Sequence, residues 1–241
     1  MSDKTWGRAD LHIHSDFSDG VDSIPEILEW VAHQTKLNVI AITDHQTIEG
    51  AQLAQKIVAD KNYNFEVIIG EEISTRDGEI VGLFLKNKIE RKNKAEEAIE
   101  EIHKQGGIAF APHPFDRLGF VIIPKKFLFG KGVARKLYKL KVDAIEVERA
   151  LPHLPFDNLR ARLANKKIKS AGLANSDAHI KEMVGKNYTL FPGQTAVDLK
   201  QSILDKNVHP QKNYSYIDSL FKYAVHIFQF IKQSRLHAKK S

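Results

Sequence analysis

The chain contains no cysteine. That absence excludes disulfides and thiolate metal ligands, and it fits a cytoplasmic setting. No apolar run reaches the length of a transmembrane helix. The opening stretch Met1-Ser2-Asp3-Lys4-Thr5-Trp6 lacks the apolar centre of a secretory signal. Internal repeats and low-complexity segments are also missing. The charge is not of one sign: 36 Lys and Arg against 30 Asp and Glu leave a net +6. The basic surplus gathers at 86–94, 125–141, 166–169 and the end of the chain. Such a balance suits phosphorylated substrates or nucleic acid. The basic stretches lack the interleaved aromatics of a single-strand binding groove, so they read first as a solvated surface. At 241 residues the chain is one large domain, or one with a small appendage, and can bury a substantial core.

Short apolar runs alternate with helical patterns, which argues for an α/β fold with mostly parallel strands. Strand-like runs fall at 9–14, 39–43, 67–73, 80–85, 108–111, 144–147 and 168–174. Helical patterns lie at 24–34, 48–60, 94–105, 133–140 and 156–165. Ser23, Pro25 and Glu26 form a helix-start signature. Gly106-Gly107 provides a helix stop. Six or seven such units suffice to close a barrel.

Nearly every strand ends in a polar residue: His12 and His14, Asp44-His45, Glu71-Glu72, His113, Glu146, then Asp177 and His179. In α/β folds the carboxyl ends of the strands are where chemistry gathers. His12 and His14 stand two apart in an extended run, so they share a face. A loop from Ser15 can return Asp19 toward them. Imidazoles and carboxylates together suit zinc, manganese or iron. The candidate ligand set is His12, His14, Asp19, His45, Glu71, His113, Asp177 and His179. A zinc-type catalytic site uses about three protein ligands, so this set is enough for two or three divalent ions. Multi-metal sites serve phosphate-ester hydrolysis.

The motifs Asp10-Leu11-His12-Ile13-His14-Ser15, Ser18-Asp19-Gly20, Thr43-Asp44-His45, Gly70-Glu71-Glu72-Ile73, Ala111-Pro112-His113-Pro114 and Asn175-Ser176-Asp177-Ala178-His179 resemble, in content and order, those of the PHP (polymerase and histidinol phosphatase) superfamily. The resemblance covers roughly residues 8–190 and is strongest to small stand-alone phosphoesterases with a C-terminal extension. It implies a distorted seven-stranded, TIM-like β/α barrel with a two- or three-metal site. By that resemblance His12, His14, Glu71 and Asp177 hold one ion. Glu71 bridges to a second ion with His113, and Asp19, His45 and His179 hold a third.

Two departures stand out. Many relatives carry a further histidine in the strand after the bridging glutamate, but here Gly78-Glu79-Ile80-Val81-Gly82-Leu83 has none. His103 is a possible substitute, although its place beside Gly106-Gly107 favours a structural role. Relatives often carry an asparagine-glycine-arginine segment where this chain reads Glu146-Val147-Glu148-Arg149-Ala150.

Arg117 and Arg76 follow metal motifs and are the candidates for binding substrate phosphate, as guanidinium suits bidentate phosphate contact. Asp44, His45 and His179 are the candidates for handling protons. The expected activity is metal-dependent hydrolysis of a phosphate ester of a small metabolite or nucleotide. A nuclease and a non-catalytic metal-binding module are the alternatives. The barrel is expected over 1–195 and a C-terminal extension over 196–241. The stripe Ile217, Leu220, Phe221, Ala224, Phe228 and Ile231 marks an amphipathic helix within 217–233, expected to dock on the barrel.

Overall fold

A computed structural model describes residues 5–116, 132–150 and 156–214. Strand β1 (Trp6–Ile13) leads to helix α1 (Ile24–Gln34), β2 (Val39–Ile42), α2 (Glu49–Lys61), β3 (Glu66–Ser74) and β4 (Glu79–Leu83). Then come α3 (Ala95–Lys104), β5 (Ile108–Ala111), β6 (Ala144–Arg149), α4 (Asp157–Ile168), β7 (Ala171–Asn175), β8 (Asn187–Pro192), α5 (Ala196–Leu204) and β9 (His209–Lys212).

The expected α/β barrel is present, but its sheet has nine strands among the described residues rather than seven, in the order β7-β6-β5-β4-β3-β2-β1-β8-β9. β1, β2 and β3 run parallel, β4 reverses, and β5, β6 and β7 run parallel again. The additional β8 and β9 are both antiparallel pairings, β8 on β1 and β9 on β8. Their sequence, Asn-Tyr-Thr-Leu-Phe-Pro and His-Pro-Gln-Lys, is too polar to stand out as a core strand. The sheet nearly closes on itself. Thr189 Oγ1 accepts from Ala174 N at 2.9 Å and donates to Ala174 O at 3.0 Å, tying β8 to β7. Beyond β7, His14 N donates to Ala178 O at 2.8 Å, so the segment after β7 takes over from β8 as the neighbour of β1.

Strands β2, β4, β5 and β6 are buried along their whole length, on both faces. The inner face holds Ala9, Leu11, Val39, Ala41, Ile68, Val81, Leu83, Phe110 and Leu173, which fill the barrel. α5 closes the amino end, adding Leu199 and Ile203 to that interior, while Ala196 N bonds Glu66 Oε2 and Lys200 Nζ bonds Gly106 O. The outer faces pack against α1 and α2 on one side and α3 on another. The helix signals act as expected. Ser23 N donates to Glu26 Oε2 at 2.9 Å, and Gly106 takes the left-handed φ of +76° that ends α3. The 133–140 pattern forms only a short 3-10 turn over Leu137–Lys139.

Among the described residues no helix is long and apolar enough to cross a membrane. The amphipathic stripe at 217–233 lies outside the described residues.

Candidate metal centre

Parity along the strands decides which polar ends face inward. On β3, Ile68 belongs to the barrel interior, so Gly70 and Glu72 share its face. Glu71 faces out. Its Oε2 accepts from Ile89 N at 2.8 Å, so the bridging position expected for Glu71 is taken by Glu72. The same inward parity carries from Val39 and Ala41 on β2 to His45. β1 needs a correction to its alternation: a register irregularity between Asp10 and Ile13 allows Leu11 to enter the core and His12 and His14 still to face the barrel mouth.

Glu72 is the hub. Its Oε2 lies 3.4 Å from His12 Nε2, 3.3 Å from His14 Nε2 and 3.3 Å from His45 Nδ1, and its Oε1 lies 3.1 Å from His113 Nε2. Asp177 Oδ1 lies 3.4 Å from both His12 Nε2 and His14 Nε2. Asp19 Oδ2 lies 3.5 Å from His45 Nε2 and 3.4 Å from His179 Nε2, and its Oδ1 is 3.4 Å from His14 Nδ1. Four triads with mutually close ligand atoms result: His12-His14-Asp177, His12-Glu72-His113, His14-His45-Glu72 and His14-Asp19-His179. Seven of the eight expected ligands meet here, with Glu72 in place of Glu71. Asp19 returns because the β1–α1 loop is tightly folded: Gly20 N bonds Ser15 O at 3.0 Å, and a Cβ on Gly20 would lie 2.5 Å from His14 O.

A match to the PHP domain family covers residues 10–106, and one to the PHP-associated family covers residues 155–208. An uncharacterized protein of Methanocaldococcus jannaschii is 38% identical over 154 residues, 59% of this chain and 82% of the relative. The chain belongs to the PHP family. Among solved structures, a two-domain protein containing a predicted PHP-like metal-dependent phosphoesterase from Bacteroides vulgatus matches with a TM-score of 0.68 at 18% identity, over 88% of this chain and 66% of that one. The lesion-specific endonuclease PfuEndoQ of Pyrococcus furiosus matches with a TM-score of 0.56 at 18% identity, over 83% of this chain and 56% of that one.

The PHP site of this chain passes a physical test for divalent ions. Nε2 of His12 and of His14 is buried and makes no hydrogen bond, although carboxylate oxygens stand 3.3–3.4 Å away. Two ligands about 2.1 Å from one tetrahedral ion are about 3.4 Å apart. The ring orientations are set from behind. His12 Nδ1 lies 3.2 Å from Glu146 Oε1, and donating there leaves the Nε2 lone pair facing the cluster. His179 Nδ1 lies 3.1 Å from the Asp177 carbonyl, which only accepts, so its Nε2 also keeps its lone pair. Glu146 further accepts from His113 N at 2.8 Å and Asn175 Nδ2 at 2.9 Å. Sequence reading noted Glu146 as a strand-end polar residue but did not place it in the site.

Burial pushes His12 and His14 down, but Asp177 and Glu72 overcome it, raising His12 well above its ordinary value and His14 to about 10. Burial likewise opposes ionisation of Glu72 and Asp177, yet the imidazoles hold both well below the usual carboxylate range. In the metal-free cluster His12 and His14 are thus protonated against ionised Glu72 and Asp177. An imidazole ligates only when neutral, so ion binding must displace protons. Adding Mn²⁺ to metal-free protein at pH 7 is expected to release protons, with affinity rising as pH rises. Calorimetry in two buffers of different ionisation enthalpy checks this, and identical heats in both would contradict it. The same shift has a stability consequence: His14 supports the metal-free fold fully below pH 6.5 and loses that support as pH rises through about 10.

One expectation shifts, that for Asp44. Asp44 is buried and its carboxylate is taken by the β1–α1 loop, accepting from Ser15 N at 2.7 Å, Ser15 Oγ at 2.6 Å and Ser18 Oγ at 2.6 Å. It shapes the loop that carries Asp19 rather than joining the cluster. Arg76 is exposed in the β3–β4 turn, where its N–H bonds Asn93 O. Arg117 lies outside the described residues. The buried arginine near the cluster is one that sequence reading set aside: Arg149 Nη1 lies 3.0 Å from Asp177 Oδ2 and 3.4 Å from Asp116 Oδ2. His103 is remote, 2.9 Å from Asp143 Oδ2.

Glu71 has its own signature. Burial pushes its carboxyl up to about 7, against the Ile89 hydrogen bond. An unfolded glutamate ionises near 4.5, so folding is penalised as pH rises from there through 7 and beyond. Glu71→Gln should therefore stabilise the protein at pH 8 by roughly 1–3 kcal/mol and change little below pH 4.5. Thermal melts at both pH values check this, and a pH-independent difference would contradict it.

Proposed function

We propose that the protein is a metal-dependent phosphoesterase that hydrolyses a phosphate ester of a small metabolite or nucleotide. The observation that carries this is the continuous cluster in which Glu72 and Asp177 each face more than one imidazole at the carboxyl end of the barrel. Shared carboxylates of this kind suit two or three ions of zinc, manganese or iron. Divalent ions there would supply a nucleophilic water at neutral pH and neutralise charge developing on a phosphoryl group. The chain's own residues divide the remaining work. His12, His14, Glu72 and His113 form the buried floor, with the half-buried Asp177 beside them. Asp19, His45 and His179 form the partly exposed rim, where a substrate would enter. Glu146 and the Asp177 carbonyl hold protons on Nδ1 of His12 and His179, which keeps both Nε2 atoms available as ligands. His45 and His179, the candidates for handling protons, would pass one to a leaving oxygen only when not ligating an ion. Arg117 and Arg76 are retained as candidate phosphate binders from the sequence.

A nuclease is the second reading. It is favoured by the likeness in fold to the Pyrococcus furiosus endonuclease and by the net charge of +6. A single experiment separates the two. Metal-free protein reloaded with Mn²⁺, Zn²⁺ or Fe²⁺ is offered aryl phosphates, nucleotides, and single- and double-stranded oligonucleotides. Metal-dependent release of phosphate from small monoesters supports the first reading, and cleavage of oligonucleotides alone supports the second. Hydrolysis of nothing by metal-loaded protein would leave a metal-binding module.

A further inference from the structure

We propose that Glu79 is an additional ligand of this centre, a second carboxylate spanning the His45 and His113 positions opposite Glu72. The inference rests on the metal-dependent reading above. Glu79 opens β4, and its parity with Val81 and Leu83 turns it into the barrel. It is 5% exposed, a degree of burial that an ionised carboxylate tolerates only with charged or ligand partners. Its two oxygens divide between two imidazoles: Oε1 lies 3.9 Å from His45 Nδ1 and Oε2 lies 3.9 Å from His113 Nε2. Glu72 faces the same two nitrogens with its own separate oxygens, at 3.3 Å and 3.1 Å. Two carboxylates that each reach the same pair of imidazoles, one oxygen apiece, are the arrangement that bridges two ions about 3.5–4 Å apart. The longer Glu79 distances leave room for an ion between carboxylate and ring, where the Glu72–His113 pair is already close.

The β3–β4 pairing explains why this chain can do it. Ser74 pairs with Glu79 and Glu72 with Val81, so Glu79 stands one inward position nearer the barrel mouth than Glu72's cross-strand neighbour. A hard oxygen donor at this point would favour manganese or iron over zinc at the His45/His113 end of the site.

The test compares wild type, Glu79→Gln, Glu79→Ala and Glu79→His, each stripped with chelator and titrated with Mn²⁺ alone. Bound ions are counted by elemental analysis after desalting, and thermal unfolding checks the fold of each variant. Both Glu79→Gln and Glu79→Ala are expected to lose one equivalent of Mn²⁺, or to bind it at least about 10-fold more weakly. The remaining equivalents should bind as in wild type. Glu79→His should regain the equivalent, with preference shifted toward Zn²⁺, because an imidazole restores a ligand that a merely structural replacement would not. Unchanged Mn²⁺ stoichiometry and affinity in folded Glu79→Gln and Glu79→Ala would overturn the proposal while leaving the metal-dependent reading intact. Wild type that takes up no Mn²⁺, Zn²⁺ or Fe²⁺ would overturn both.

Discussion

Glu72→Gln is expected to remove metal-dependent hydrolysis and at least one equivalent of bound metal, whereas Glu71→Gln should leave both unchanged. The two residues are adjacent and chemically identical, yet a strand sends them to opposite faces. Glu72 puts one oxygen near three imidazoles and the other near a fourth. An amide keeps the shape but loses the charge and one acceptor, so no ion pair can be bridged through it. The loss in rate should exceed the roughly 10–100-fold that follows removal of a partner outside the ligand set. Glu71 instead caps the Ile89 amide on the outside of the barrel, and a glutamine carbonyl can accept that bond equally well. Initial rates and metal content of the two variants, measured side by side, check the expectation. Comparable losses in both, or a loss confined to Glu71→Gln, would contradict the placement of Glu72 as the hub.

The second large effect is at Asp177. Its Oδ1 faces His12 and His14, and its Oδ2 is 3.0 Å from the buried Arg149 guanidinium. Asp177→Ala removes a ligand and a carboxylate beside a buried cation together. Breaking a buried pair from one side costs about 3–5 kcal/mol, so this variant should lose both activity and stability. Asp177 also sits at a left-handed φ of +51°, which asparagine tolerates better than alanine. Asp177→Asn keeps an oxygen for Arg149 and fits the backbone. It should therefore fold with a melting temperature near wild type while losing the ion between His12 and His14 and at least about 100-fold in rate. Metal analysis, initial rates and thermal melts on both variants separate the two roles. An active Asp177→Asn with full metal content would contradict the assignment.

These expectations depend on details of unequal legibility. The barrel was readable because parallel strands buried on both faces leave continuous apolar runs, as in Val39–Ile42 and Ile108–Ala111. Most of the cluster was readable because His12, His14, His45, His113, Asp177 and His179 all follow such runs. β8 and β9 were not, since a strand whose exposed positions are polar loses that pattern, and the Asn187–Pro192 burial alternates accordingly. Glu71 and Glu72 could not be separated by composition, because Val67, Ile69 and Ile73 on one face are as apolar as Ile68 on the other. The signal that was present is Gly70, a small residue on the crowded inner face in step with Glu72. Arg149 was passed over because strict alternation would put it on the face opposite Glu146, and it is the register irregularity between Glu146 and Glu148 that lets both turn inward.

The amino-acid sequence by itself determined the barrel class, the family and the strand ends where chemistry gathers, since these follow from periodicity and residue type. Tertiary structure alone decided which carboxylate is the hub, that Asp44 holds a loop, and that Glu79, Glu146 and Arg149 surround the cluster. The reason is physical. Strand parity has a period of two, so one bulge or one step of register exchanges the inner and outer faces, and only the folded sheet states where those steps occur.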